Sequence, residues 1–221
     1  MAVPSSAPVL PVPRIDLRWA LPGHVVDLAT RALVVGVVPA PRFGREGEVI
    51  ATATALAAAG ADLVDVSLPP RLIGPVAALA ARGDGPPVVV RVGSPDEAGA
   101  ARRAGAQAII APAGLVAEIA RGDGGAPAGP TACLVTDVAR PATAGAATEA
   151  LALPLAVDVS AWSGGEALAR ETLAIAGGCR LVVTSDPRRT RRVVEVMAAL
   201  LDARRSGAGG EPEVADERAP D

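Results

Sequence analysis

An apolar run, a helical stretch and a second apolar run follow one another between Ala32 and Ser67, in ALVVGVVPAPRFGREGEVIATATALAAAGADLVDVS. This pattern admits few folds. Leu33 to Val38 is rich in β-branched residues and shows no polar alternation, as expected of a strand buried on both faces in a parallel sheet. Glu46 to Ala59 carries Val49, Ile50, Ala53, Leu56 and Ala57 at helical spacing, and Gly60 stands where a helix ends in the left-handed conformation. Leu63 to Ser67 predicts the next strand. Parallel strands joined by a helix cross over right-handedly, so repetition of the unit gives either an open doubly wound sheet or a closed barrel.

The unit recurs along the chain. Strands are predicted at Val88 to Val92, Ala108 to Ala111, Ala132 to Thr136, Leu155 to Val159 and Arg180 to Thr184. Helices are predicted at Leu72 to Arg82, Pro95 to Ala104 behind the N-cap Ser94, Leu115 to Arg121, Ala142 to Ala152, Glu166 to Ala176 and Thr190 to Arg204. The last of these places Val193, Val196, Met197, Leu200 and Leu201 on its apolar face. Before the first unit, LRWAL and VVDLA around Pro22-Gly23 read as a hairpin over Asp16 to Ala29, positioned to plug the bottom of a barrel with Trp19. The fold class is therefore α/β, a TIM-like parallel barrel with seven recognisable βα units and an N-terminal β-hairpin. Residues 1–13 read as an extended or disordered head, 14–205 as the barrel, and 206–221 as a disordered acidic tail. The tail carries a net −4 of the chain's −3, which leaves +1 on the folded part.

Composition narrows the function. Aromatic residues make up 1% of the chain, so stacking platforms for nucleobases are missing, and no basic run exceeds Arg188 to Arg192. These features argue against a nucleic-acid partner. No run reaches the roughly 18 apolar residues of a membrane helix, and the start lacks a secretory pattern, so the reading is cytoplasmic without a membrane partner. Cys133 and Cys179 suit neither a disulfide framework nor a zinc site and read as small core residues. RGDGGAPAG has no Walker lysine and leads into no helix, which leaves little basis for a phosphate cradle. His24, the one histidine, reads as a turn residue. All 21 basic residues are Arg, and the chain contains no Lys and no Asn.

Two stretches carry a family resemblance. VVGVVPAPRFG followed by GADLVDVS is similar to the opening of dihydropteroate synthases, where an N-x-T-P-D-S-F loop precedes a strand reading G-A-D-I-I-D-V-G. VDVSAWSGGEALARETLAIAGGCRLVVTSDPRRTRRVVEVMAALLDAR resembles that family's last two units, with S-R-K ending the seventh strand and R-V-H-D the eighth. The likeness spans most of Asp16 to Arg204. It implies a barrel that binds a pterin deep in its mouth, with magnesium on a pyrophosphate leaving group. Yet the family's magnesium-binding Asn falls on Val37 and its strand-three Asp on Arg91. Its strand-four Asn falls on Ala111, the Lys of S-R-K on Trp162, and the Arg and His of R-V-H-D on Val183 and Ser185. No shift of register restores an Asn or a Lys to a chain that has none.

The resemblance therefore implies no catalytic residue, no metal ligand and no cofactor. The strand ends offer a ligand site built from Asp65, Arg91, Asp137, Ser160, Ser185 and Asp186, of which the resemblance matches Asp137 to the family's pterin-binding Asp on the sixth strand and Ser160 and Asp186 to its seventh- and eighth-strand motifs. Strand-end polar residues permit two chemistries. Arg91 meets an anionic ligand while Asp137 or Asp158 reads a polar ring, or else Arg91 is neutralised by a carboxylate, since a buried charge needs a partner. Three functions follow: a non-catalytic ligand-binding or regulatory barrel, an active synthase with replaced residues, or a structural subunit whose mouth is closed by Trp162 and Pro39. The partners implied are a pterin-like or anionic small molecule and, as a homodimer or heteromer, a second copy or a complete synthase.

Overall fold

The computed structural model describes residues 18–21, 24–39, 46–66, 73–83, 85–121, 131–135 and 153–206. A two-stranded antiparallel hairpin, β1 (Arg18–Leu21) and β2 (His24–Asp27), comes first. Then follow β3 (Leu33–Val37), α1 (Glu46–Ala58), β4 (Leu63–Asp65), α2 (Ile73–Ala81), β5 (Val88–Arg91) and α3 (Pro95–Arg103). The remaining elements are β6 (Ala108–Pro112), α4 (Ala113–Arg121), β7 (Thr131–Val135), β8 (Leu155–Asp158), α5 (Gly164–Ala176), β9 (Leu181–Thr184) and α6 (Pro187–Arg205). Strands β3 to β9 pair in parallel in sequence order, and β9 pairs back to β3. Every strand thus has two neighbours, and the closed ring has seven members.

Local chemistry set the element ends. Ser94 accepts from the Glu97 amide and Pro95 takes the first helical position, which starts α3 as the sequence predicts. Gly60, at φ +107°, ends α1; a Cβ there would sit 3.3 Å from Arg191 Cβ. The predicted helix over Ala142 to Ala152 lies outside the described residues, as do Pro22, Gly23, the head, the tail beyond Ser206 and the His24 side chain.

The barrel interior is filled by alternate residues of each strand, among them Leu33, Leu63, Val89, Ile110, Leu181 and Val183. A ring of seven strands is narrower than one of eight. Small side chains meet that constraint at Ala108, Ala132 and Ala156, all buried. Trp19 from the hairpin and Leu28 join this cluster, so the hairpin closes one end of the barrel. The strands' other faces, such as Val64, Val90 and Ile109 on one side and Val34, Val157 and Val182 on the other, pack under the helices.

Two polar ties orient the last helix. Asp62, just before β4, receives Arg31 at 2.9 and 3.0 Å, the Val34 amide at 2.9 Å and Arg191 at 2.7 Å. Burial pushes its carboxyl up, but the bonds from Arg31, Arg191 and Val34 outweigh that and hold it below the ordinary Asp value. Arg191 also donates to the Gly60 carbonyl. The second tie is Glu171 on α5, fully buried, which receives Arg189 Nη2 at 2.9 Å and the Thr190 hydroxyl at 2.7 Å. These contacts correct the predicted apolar face of α6. Val193 and Met197 are buried as predicted, together with Val194 and Thr190, and Leu201 is partly buried, whereas Val196 and Leu200 are each 59% exposed. With Thr190 and Arg191 held, the helix is rotated so that those two apolar residues face solvent. Among the described residues no helix is long and apolar enough to cross a membrane.

Candidate functional site at the barrel mouth

Strand alternation selects which residues enter the mouth. Leu63 points inside the ring and Val64 outside, so Asp65 at the end of β4 points inside; the same count on β5 and β8 turns Arg91 and Asp158 inward. Asp65 and Asp158 belong to strands on opposite sides of the ring, and Arg91 bridges them. Its Nε lies 2.5 Å from Asp65 Oδ2 and its Nη1 2.5 Å from Asp158 Oδ2. Asp65 is wholly buried, whereas the Arg91 and Asp158 side chains are 28% and 27% exposed, so among the described residues solvent exposure of the inward-facing charges begins at this layer. Val37 and Leu134 stand beside it as the apolar residues of the upper interior.

The neighbouring loops tie into this layer. The Ser160 amide donates to Asp158 Oδ1 at 2.8 Å, and the Ser185 hydroxyl donates to the Ser160 carbonyl at 3.1 Å. Asp186 turns away to cap α6: its carboxylate accepts from the Arg189 amide at 3.2 Å, and its own amide donates to Thr184 Oγ1. Of the predicted site residues, the structure thus brings Asp65 and Arg91 into direct contact and links Ser160 and Ser185 to them through Asp158. Asp137 lies outside the described residues, as do Ser67 and Thr136.

The residue that sequence reading overlooked is Glu171. It interrupts the buried stripe Ala167, Ala174 and Ile175 at helical spacing, which was the available signal, and through Arg189 and Thr190 it supports the turn that carries Ser185 and Asp186. Burial raises both cysteine thiols, that of Cys179 to about 11, so neither offers a thiolate near neutral pH.

No family model and no curated protein matches the sequence. Solved structures do match. A Yersinia pestis dihydropteroate synthase with a pterine-sulfa conjugate aligns over 85% of this chain and 99% of its own, at 18% identity and a TM-score of 0.60. The Vibrio fischeri ES114 enzyme gives 13% identity over 84% and 98%, with a TM-score of 0.60. The Xanthomonas albilineans enzyme in complex with 7,8-dihydropteroate gives 19% over 83% and 98%, also at 0.60. The fold is that of the dihydropteroate synthases.

Within this dihydropteroate synthase-like barrel, several positions singled out by the resemblance do not reach the mouth. Ala111 packs in the layer beneath the helices, and Trp162 leans on the outer cluster with Val34 and Val182 while Arg170 stacks over its ring at 4.2 Å. Trp162 therefore does not close the mouth. Nor does magnesium fit the described donors. Val37 is apolar, both mouth carboxylates already hold Arg91, and no three described His, Cys, Asp or Glu side chains converge.

Proposed function

We propose that this dihydropteroate synthase-like barrel binds a small molecule at its mouth without performing the synthase reaction, acting as a ligand-binding or regulatory protein. One observation carries the reading: the cation at the mouth, Arg91, is engaged by two carboxylates of the chain itself. A pyrophosphate leaving group needs uncommitted positive charge as bonds break. The family's Asn and Lys contacts have no replacement of their own type anywhere in the sequence. Ser160, Ser185 and Asp137 then supply hydrogen bonds to a pterin-like molecule, and the cytoplasmic reading stands with this function.

Titration calorimetry of the full chain with a pterin pyrophosphate and with p-aminobenzoate, each with and without magnesium, tests the binding; a parallel assay for dihydropteroate tests the chemistry. Binding that is independent of magnesium, with no product above background, is expected. Magnesium-dependent turnover by protein free of host enzyme would refute the non-catalytic reading. A second reading, a partner subunit for a second copy or a complete synthase, draws on the exposed Leu168 and Leu173 of α5 and Val196 and Leu200 of α6. Sedimentation of the chain alone and mixed with a synthase decides it.

A further inference from the structure

We infer that Asp65 and Asp158 form a recognition site for an amidinium or guanidinium group, and that the chain fills this site with its own Arg91. The two carboxylates face each other across the ring and hold two nitrogens of one planar cation between them. Asp65 is wholly buried, so as a carboxylate it is stabilised by a cationic partner. Asp158 is oriented by the Ser160 amide independently of Arg91, so the far half of the site persists when the arginine is shortened.

The occupant is tethered to the sheet. Arg91 rises from β5, next to β4, and its Nε meets Asp65 Oδ2 as an ion pair without the alignment of a hydrogen bond. A free planar cation with no tether has more freedom to align with both oxygens. Val37 and Leu134 are partly buried apolar residues of the same interior cluster, and Arg91 and Asp158 each keep about a quarter of the side chain exposed. In the native chain a donor-rich ligand that depends on these carboxylates must displace a group held at an intramolecular concentration of about millimolar or higher. Anions gain nothing from these carboxylates. The inference goes beyond the proposed function and does not depend on native pterin binding.

The full-length Arg91→Ala protein is titrated with benzamidinium and followed by thermal unfolding and calorimetry. Benzyltrimethylammonium, with the same charge and no N–H, and benzamide, uncharged, are the controls. The variant is expected to melt below the native protein and to bind one benzamidinium, with a saturable rise in its midpoint. The native protein and both controls are expected to show no shift. Adding Asp65→Ala to the variant is expected to abolish the response. An unresponsive Arg91→Ala protein, an equal effect of benzyltrimethylammonium, an equal shift of the native protein, or a response that survives Asp65→Ala would each overturn the inference. If Arg91→Ala does not fold alone, refolding yield is compared with and without benzamidinium; recovery supports the site and no recovery overturns it. A native protein that binds no pterin would undo the functional reading and leave this result unchanged.

Discussion

Replacing Arg91 by Leu separates the two halves of the clamp energetically. Asp65 is fully buried and would lose the Arg91 guanidinium, whereas Asp158 is 27% exposed, retains the Ser160 amide and regains water. The cost therefore falls mainly on Asp65, at about 3–5 kcal/mol for breaking a buried ion pair by removing one partner. Asp65→Leu leaves Arg91 against Asp158 and partly in water, so about 1–3 kcal/mol is lost. Removing both charges in the double variant leaves neither stranded, and the double loss should fall short of the sum by roughly 0.5–3 kcal/mol. At roughly 2–4 °C per kcal/mol for a domain of this size, Arg91→Leu lowers the melting midpoint by about 6–20 °C. Urea unfolding of the four proteins at neutral pH measures the cycle. Additive single losses, or an Arg91→Leu protein as stable as the native one, would show that the contact carries no coupling.

Other expectations follow from individual side chains. Asp62 has a lowered pKa in the fold, so its stabilisation is complete above the ordinary Asp value of 3.8 and is lost as pH falls through the lower folded value; the stability gap between native and Asp62→Asn should close on acidification below about pH 4 in denaturant titrations. Cys133 and Cys179 should resist a thiol reagent at pH 8 and react only after unfolding, whereas rapid labelling of the native protein would place a thiol at the surface. Val196→Lys and Leu200→Lys should change stability by no more than about 0.5 kcal/mol, while Met197→Ala should cost about 2 kcal/mol or more. The reverse order would restore the apolar face that periodicity suggested.

Most strands and helices were legible because their causes are local. Continuous β-branched runs produced β3, β5 and β9, Ser94 and Pro95 started α3, and Gly60 and Gly105 took the positive φ that ends a helix. Repetition of one strand–helix unit pointed to a parallel sheet, and the two short apolar runs around Pro22-Gly23 pointed to the hairpin. The charges at the mouth were legible as strand-end residues, since alternation places Asp65 and Arg91 on the inward face once Leu63 and Val89 are inside.

Phase and partnership were decided in three dimensions. Periodicity fixes the spacing of α6 but not its rotation, which Arg191 sets by reaching Asp62 and Gly60 and Thr190 by reaching Glu171. A list of strand-end carboxylates likewise cannot say which one meets Arg91; ring closure places β4 and β8 across from each other with β5 between them on one side, so the arginine meets two. Seven strands rather than eight is also a closure property, because hydrogen bonding of β9 to β3 ends the count and the narrower interior suits Ala108, Ala132 and Ala156. Sequence alone determined the repeating unit, through hydrogen bonding and burial within a few neighbouring residues. The tertiary structure decided how the ring closed and which charges it brought face to face, because those contacts join residues up to 148 positions apart, as Leu33 is from Leu181.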